Sequence, residues 1–332
     1  MCSGNIVNTP ADTPLLTIEH LETRFRLPSG QDAIAVDDVS LSIGHGETLG
    51  LVGESGSGKS VTALSIVRLV MPPGHITAGR VTLDGQSLLD LDDAEMQRVR
   101  GRRIGFIFQE PMVALDPVHT IGAQIVETLA VHGLAKGAAA WRRAAELLDA
   151  VSIPDAARRA RDYPHQLSGG LRQRAMIALA LAAEPRLLIA DEPTTALDAT
   201  VQAEILDLLG DLRRQFKLSV LLITHDLGVV AQMADHVAVM YAGRIVEHAP
   251  AAELFAAPSH PYTQALFASI PGAAPGVRLK AIAGNVPAIG QLPSGCAFAP
   301  RCESRFDACA ERPGLTSVHP GHDVRCLLYP AR

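Results

Sequence analysis

Apolar and polar positions change their spacing several times along this chain, and each change marks an element. From Leu15 to Phe25 and from Ala33 to Ile43 the two kinds alternate, the period of a half-buried strand, with Pro28-Ser29-Gly30 between them as a turn. These segments predict a small antiparallel β layer. Thr48 to Val52 is a short buried strand that feeds directly into G-E-S-G-S-G-K-S, Gly53 to Ser60. Lys59 to Val70 then follows helical spacing until Met71-Pro72-Pro73-Gly74 ends it.

Val81 to Leu83 and Ile104 to Phe108 are further strands. From about Pro111 to Ala183 the spacing is helical, with Ala-rich and Arg-rich stretches around Ala138 to Ala160, which predicts a helical insert. Leu187 to Ala190 is a continuous apolar strand. Val201, Ile205, Leu208, Leu209 and Leu212 share one helix face, and Ser219 to Ile223 is another buried strand. Strand and helix alternate, so the main sheet is expected to be parallel and the fold α/β. His236 to Tyr241 and Arg244 to His248 pair as a hairpin around Ala242-Gly243. Beyond that, Pro and Gly become dense and periodicity fades, which predicts a boundary near Ile270 and a loop-rich module over 271–332. Residues 1–14 are polar, broken by Pro10 and Pro14, and are read as a flexible lead-in to a domain over 15–270.

The chain has 332 residues, enough for a large domain with an appendage, and 48% of them are hydrophobic. A net charge of −6 without a long basic run argues against nucleic acid as the main partner. The longest apolar runs, such as Ala175 to Ala183, fall short of the ~20 residues that a spanning helix needs. The first residues have neither the basic start nor the apolar middle of a secretory leader, so a cytosolic chain is expected. Of the five cysteines, Cys2 stands alone while Cys296, Cys302, Cys309 and Cys326 cluster. In a reducing compartment such a cluster points to metal ligation before disulfides.

The chemistry lies in five short segments. Gly53, Gly56 and Gly58 carry no Cβ, so the backbone between Gly53 and Val61, with Glu54, Ser55 and Ser57, is able to wrap a phosphate with its N–H groups. The helix starting near Lys59 adds its positive end. Lys59 is placed to reach β- and γ-phosphates, and the Ser60 hydroxyl to ligate Mg²⁺. Asp191 closes a buried strand, where an unpaired carboxylate is costly, and is assigned to the same cation. Glu192 is the candidate base for an attacking water. Gln109 and His225 end two other strands, at the sheet edge where ligands of open α/β sheets bind. Gln109 is read as a contact to Mg²⁺ and the water, His225 as a donor to the γ-phosphate. Leu167 to Leu171, L-S-G-G-L, is a second glycine-rich helix start capped by Ser168, and so a second anion site built for a neighbour's nucleotide.

Taken together these segments resemble the ATP-binding subunits of ABC transporters over about residues 15–270. The resemblance implies a P-loop fold with a RecA-like parallel core, an antiparallel β layer and a helical subdomain at about 111–183. It makes Gly53 to Ser60 the Walker A loop, Gln109 the Q-loop, Ser168, Gly169 and Gly170 the signature, Asp191 and Glu192 the Walker B pair, Asp198 the D-loop and His225 the switch histidine. Phe25 is the expected adenine-stacking ring. In that family ATP lies between Walker A of one subunit and the signature of another, and closure drives the membrane subunits.

Q-E-P-M at Gln109, L-S-G-G-L-R-Q-R from Leu167, H-P-Y-T-Q-A-L from His260 and C-A-F-A-P-R-C from Cys296 are similar to the oligopeptide and dipeptide importer branch, whose relatives include nickel and glutathione importers. This implies a second ATP-binding subunit, two permeases, an extracytoplasmic solute-binding protein and a peripheral place on the cytoplasmic face of the inner membrane. The cysteines resemble a segment that in some members holds a [4Fe-4S] cluster; zinc is the alternative, with His319 and His322 as competing ligands. Leu171, Val113, Ala114 and Asp116 depart from the usual pattern, the last three in the segment expected to couple to the membrane partner. Competing classes are a soluble ABC ATPase of DNA repair or translation, which the single ATPase unit disfavours, and a small-molecule kinase, which the signature disfavours.

Overall fold

The computed structural model describes residues 13–195, 197–269 and 282–329. The expected boundary at Ile270, the residue Cys2 and most of the flexible lead-in lie outside them. The chain opens with β1 (Leu16–Arg26) and β2 (Asp32–Ile43), paired antiparallel as the alternation predicts, followed by the fully buried β3 (Thr48–Val52) and α1 (Lys59–Ile66). β4 (Gly74–Leu83) and β5 (Gln86–Ser87) complete a four-stranded sheet in the order β2-β1-β4-β5. β4 begins at Gly74, well before the Val81 expected from apolar spacing, because pairing with β1 from Phe25 to Leu16 holds its polar residues extended. α1 ends before the expected Val70. Arg68 takes a left-handed backbone (φ 52) that stops the helix, and its guanidinium bonds the Leu91 carbonyl and Asp93.

α2 (Asp93–Val99) leads to β6 (Ile104–Ile107), after which the chain is helical as expected: α3 (Pro111–Ala114), α4 (Ile121–Val131), α5 (Gly137–Ala150), α6 (Ala156–Arg159) and α7 (Gly169–Leu181). β7 (Leu187–Asp191), α8 (Ala199–Phe216), β8 (Ser219–Thr224) and α9 (Leu227–Met233) return to the main sheet. β9 (His236–Tyr241) and β10 (Arg244–Pro250) form the expected hairpin. They are followed by α10 (Ala251–Ala256), α11 (Pro261–Ala268) and two short C-terminal strands, β11 (Thr316–His319) and β12 (His322–Val324).

The main sheet runs β11-β12-β10-β9-β3-β8-β7-β6. Its pairings among β9, β3, β8, β7 and β6 are parallel, but β10, β12 and β11 are added antiparallel, so the sheet is mixed rather than parallel throughout. The C-terminal module is thus tied into the sheet through Glu247 opposite Val324. A three-residue strand carries too little periodicity to be seen in sequence; only β10 beside it reveals it.

Period-2 alternation sorts β7 and β8 between two cores. Leu188, Ala190 and Leu222 face a core shared with α4, α5, α7 and α8, while Leu187, Ile189, Leu221 and Ile223 face one shared with β1, β2 and α1. A third core joins β9 and β10 to Tyr262 and Phe298 of the C-terminal region. No helix among the described residues is long and apolar enough to cross a membrane.

β6 and α7 touch at Gly105, where a Cβ would lie 2.5 Å from the Ala180 carbonyl oxygen and 3.0 Å from Pro185 Cγ. Because the obstructing oxygen is backbone, the strand and helix must part to admit a methyl. Gly105→Ala is expected to cost about 1–3 kcal/mol, measured as a lower urea midpoint; an unchanged midpoint would show that this contact is slack.

Candidate nucleotide site

The loop between β3 and α1 has the shape its glycines allow. Gly53 sits at φ 154 with Met240 O only 2.1 Å from where a Cβ would be, and Gly58 at φ 107 with Ala35 O at 2.7 Å. Both positions exclude any side chain. Ser57 N–H donates to Glu54 O at 3.2 Å, and Gly243 N–H to Ser57 O at 2.8 Å, which ties the loop to the β9–β10 turn. No side chain caps α1, so its first N–H groups are open to an anion. The Lys59 ammonium lies within the loop, donating to Gly53 O at 2.8 Å and Glu54 O at 3.0 Å. Burial lowers its pKa, opposed by the charges of Glu192, Asp191 and Glu54.

Register brings the other residues to the same edge. Val52 pairs with Thr224, Asp191 with Ile223, and Ala190 with Ile107, so the loops after β3, β8, β7 and β6 leave the sheet side by side. Ser60 Oγ donates to Asp191 Oδ1 at 3.0 Å. Asp191 is 5% exposed, and burial raises its pKa, against the Ser60 hydrogen bond that lowers it. A carboxylate so desolvated, beside a hydroxyl, is a donor set that fits a hard divalent cation.

Glu192 keeps one bond of the ladder, its N–H donating to Ile223 O at 2.9 Å, but takes a left-handed backbone (φ 47) that turns its carboxylate out of the strand pattern. Its Oε2 accepts from Gln109 Nε2 at 3.2 Å and from Thr195 Oγ1 at 2.7 Å, and His225 Nδ1 lies 3.5 Å away. Gln109, Glu192 and His225, predicted from three separate strand ends, therefore meet. Thr195 joins them unpredicted; the signal available was a hydroxyl three residues after Glu192.

The signature residues form a separate group. Ser168 caps α7, its Oγ accepting from Leu171 N–H at 3.3 Å. A Cβ on Gly170 would meet Val201 Cγ1 at 2.8 Å, and one on Gly169 would meet Leu197 Cδ2 at 3.8 Å. Asp198, which caps α8 by accepting from Thr200 N–H at 3.1 Å and Val201 N–H at 3.0 Å, shares this neighbourhood. Among the described residues no hydrogen bond joins this group to Gly53–Ser60. Phe25 lies at the other sheet, its ring against Gly74, where a Cβ would meet Phe25 Cε1 at 2.7 Å.

Cys296, Cys302, Cys309 and Cys326 line one small apolar cavity together with His260 and Phe298. Burial raises the thiols of Cys296 and Cys302 and pushes Cys326 up to about 11. Among the described residues no three His, Cys, Asp or Glu side chains are gathered as a metal would require, so the expected cluster has no formed ligand set. The proposed competing ligands are elsewhere: His322 is buried and bonded through Nε2 to Glu247 Oε1 at 2.8 Å, and His319 is exposed on β11 beside it. Two further residues went unread in the sequence although their motifs were noted: Tyr262 and Arg301 both hold Glu54 of the loop.

The chain matches the ABC transporter family over residues 36–195 and the oligopeptide/dipeptide transporter C-terminal region over residues 246–309. It is 52% identical to a putative peptide import ATP-binding protein of Brucella abortus (strain 2308), across 95% of this chain and 97% of that one. It is 49% identical to the oligopeptide transport ATP-binding protein AppD of Bacillus subtilis (strain 168), across 95% of this chain and 97% of that one. Among solved structures, the ATP-binding cassette MJ0796, described as a dimer in a post-hydrolysis state bound to ADP and Pi, superposes with a TM-score of 0.64 at 31% identity, covering 71% of this chain and 98% of its own. Half-identity sustained over 95% of the chain, on a fold that sets a glycine-rich loop beside an acidic strand end, places this chain in the ABC transporter ATP-binding family as an ATPase.

Proposed function

We propose that this chain is the ATP-hydrolysing subunit of an importer of oligopeptides or dipeptides. The observation that carries the reading is the meeting of Gln109, Thr195 and His225 on the Glu192 carboxylate, next to the Ser60–Asp191 pair. The loop N–H groups from Gly53 to Val61 hold the phosphates, and Lys59 neutralises the β- and γ-phosphates. Ser60, Asp191 and Gln109 would hold Mg²⁺, which when bound would offset charge on the phosphate oxygens. Glu192 accepts a proton from the attacking water, Thr195 and Gln109 fix the orientation of its carboxylate, and His225 donates to the γ-phosphate. Phe25 is the proposed adenine platform.

Ser168, Gly169, Gly170 and Asp198 complete the site of a second ATP-binding subunit, which agrees with their grouping away from the phosphate loop. Two permeases and an extracytoplasmic solute-binding protein complete the assembly, and the chain sits peripherally on the cytoplasmic face of the inner membrane. Met112 and Val113, exposed just after Gln109, fit a permease-facing surface. The peptide reading rests on the relatives' names and on the matched C-terminal region, and it is favoured over nickel or glutathione on those grounds. The finer reading, a [4Fe-4S] centre on Cys296, Cys302, Cys309 and Cys326, rests on the four thiols lining one cavity, and it requires them to draw together around the cluster.

Glu192→Gln is expected to slow ATP hydrolysis about 10²- to 10⁴-fold while ATP still binds and holds a dimer on gel filtration; a normal rate in the assembled transporter would remove Glu192 from the base role. Ser168→Arg is expected to abolish ATP-dependent dimerisation and leave nucleotide binding by the monomer in place, and a dimer that survives it would argue against the shared site. Protein purified anaerobically is expected to carry iron and acid-labile sulfide, lost together when Cys302 and Cys326 are replaced by Ser; a colourless, iron-free preparation would overturn the cluster.

A further inference from the structure

Glu54, the second residue of the phosphate loop, is held at both ends by the C-terminal part of the chain. Its carboxylate accepts a two-pronged bond from Arg301, Nη1 to Oε2 at 2.7 Å and Nη2 to Oε1 at 3.0 Å. Its N–H donates to the Tyr262 hydroxyl oxygen at 2.8 Å. Its carbonyl accepts from the Lys59 ammonium at 3.0 Å, so one residue separates Arg301 from the lysine that meets the phosphates.

Arg301 is not a surface residue that happens to reach a carboxylate. Its side chain is 5% exposed. Nε donates to Ala283 O at 2.8 Å, Nη2 to Gly284 O at 3.2 Å and Nη1 to Tyr241 OH at 3.3 Å. The guanidinium carbon lies 5.8 Å from the Tyr241 ring centroid and 6.0 Å from that of Phe298. The Glu54 bond is the leading reason its pKa is raised. A desolvated fork of this kind is geometrically specific in a way an exposed ion pair is not. Tyr262 is fully buried, its ring 4.6 Å from Tyr241 and 5.3 Å from Phe298, so the second grip is as fixed as the first. Arg301 ends a short 3₁₀ turn, Ala299–Arg301, between Cys296 and Cys302, two of the residues that line the thiol cavity.

We propose that Arg301 is a positioning residue for ATP binding, which acts through Glu54 to set the conformation of the phosphate loop and makes the C-terminal module a working part of the nucleotide site. The inference rests on the reading of Gly53–Ser60 as the phosphate site. A change at the thiol cavity has a direct route to the loop through the turn that carries Arg301.

The test uses the full-length chain, with Arg301→Ala, Arg301→Lys, Glu54→Gln and the double variant Glu54→Gln/Arg301→Ala. It reads the Kd for a fluorescent ATP analogue alongside the thermal midpoint. Arg301→Ala is expected to weaken binding about tenfold, within the range for coupled contacting residues. The double variant should lose no more than Arg301→Ala alone, and Arg301→Lys should recover part of the loss. Glu54→Gln leaves Arg301 and the packing of the module in place while it removes the charge and one of the two acceptor oxygens of the fork, so it decides the matter even if Arg301→Ala does not fold. A lower thermal midpoint with unchanged Kd in Glu54→Gln and Arg301→Ala would make the pair a simple staple and overturn the proposal, as would additive losses. Lys59→Ala separates the two readings: a loss there without one at Arg301 or Glu54 sinks only this inference, whereas no loss at Lys59 sinks the phosphate site itself.

Discussion

The parallel ladder from β3 through β8 and β7 to β6 is the constraint from which the site follows. Val52 opposite Thr224, Ile223 opposite Asp191 and Ala190 opposite Ile107 bring four strand ends to one edge. A slip of one residue in any of these pairings would exchange the faces of every side chain on that strand. It would also move Asp191 off Ser60, a contact of 3.0 Å with little slack. The buried alternation of β7 between two cores is what forbids the slip, since both of its faces are filled by different apolar sets. Packing that is remote from the chemistry thus fixes chemistry at the edge.

Charge burial is the second organising fact. Lys59 and Asp191 are both desolvated, and burial pushes each toward its neutral form, while the surrounding opposite charges and hydrogen bonds push back. Such a balance suits a site that takes up a polyanion and a divalent cation together. The C-terminal region manages its own buried charge in the same manner. Glu247, fully buried on β10, accepts from Ser259 N–H at 2.6 Å, His260 N–H at 2.9 Å and His322 Nε2 at 2.8 Å, so α11 and β12 are fastened to the main sheet by one carboxylate. His260, which borders the thiols, is driven down to about 3 by burial and remains neutral, its Nδ1 accepting from Tyr262 N–H. Tyr262 then reaches Glu54 in the loop between β3 and α1. Module and loop therefore share a continuous set of buried contacts.

Much of this was legible in the amino-acid order alone. Glycines at 53 and 58, a lysine and hydroxyl at the helix start, and an acidic pair after a buried strand are local patterns, because phosphate binding depends on backbone conformation within a few consecutive residues. The strands β1, β2, β3, β7 and β8 and the Ser168 cap were likewise readable, since each is written in its own periodicity or capping chemistry. What the order of residues did not contain was anything decided between distant segments. β4 is extended because β1 lies beside it, and β12 is a strand because β10 does; His322 is a carboxylate's partner because folding carries it to Glu247. Arg301 and Glu54, 247 positions apart, meet only when the third core closes around Tyr241, Tyr262 and Phe298. Local backbone chemistry was determined by sequence; the partners of buried charges were determined by tertiary packing, because a desolvated charge takes whichever counterpart the fold brings within reach.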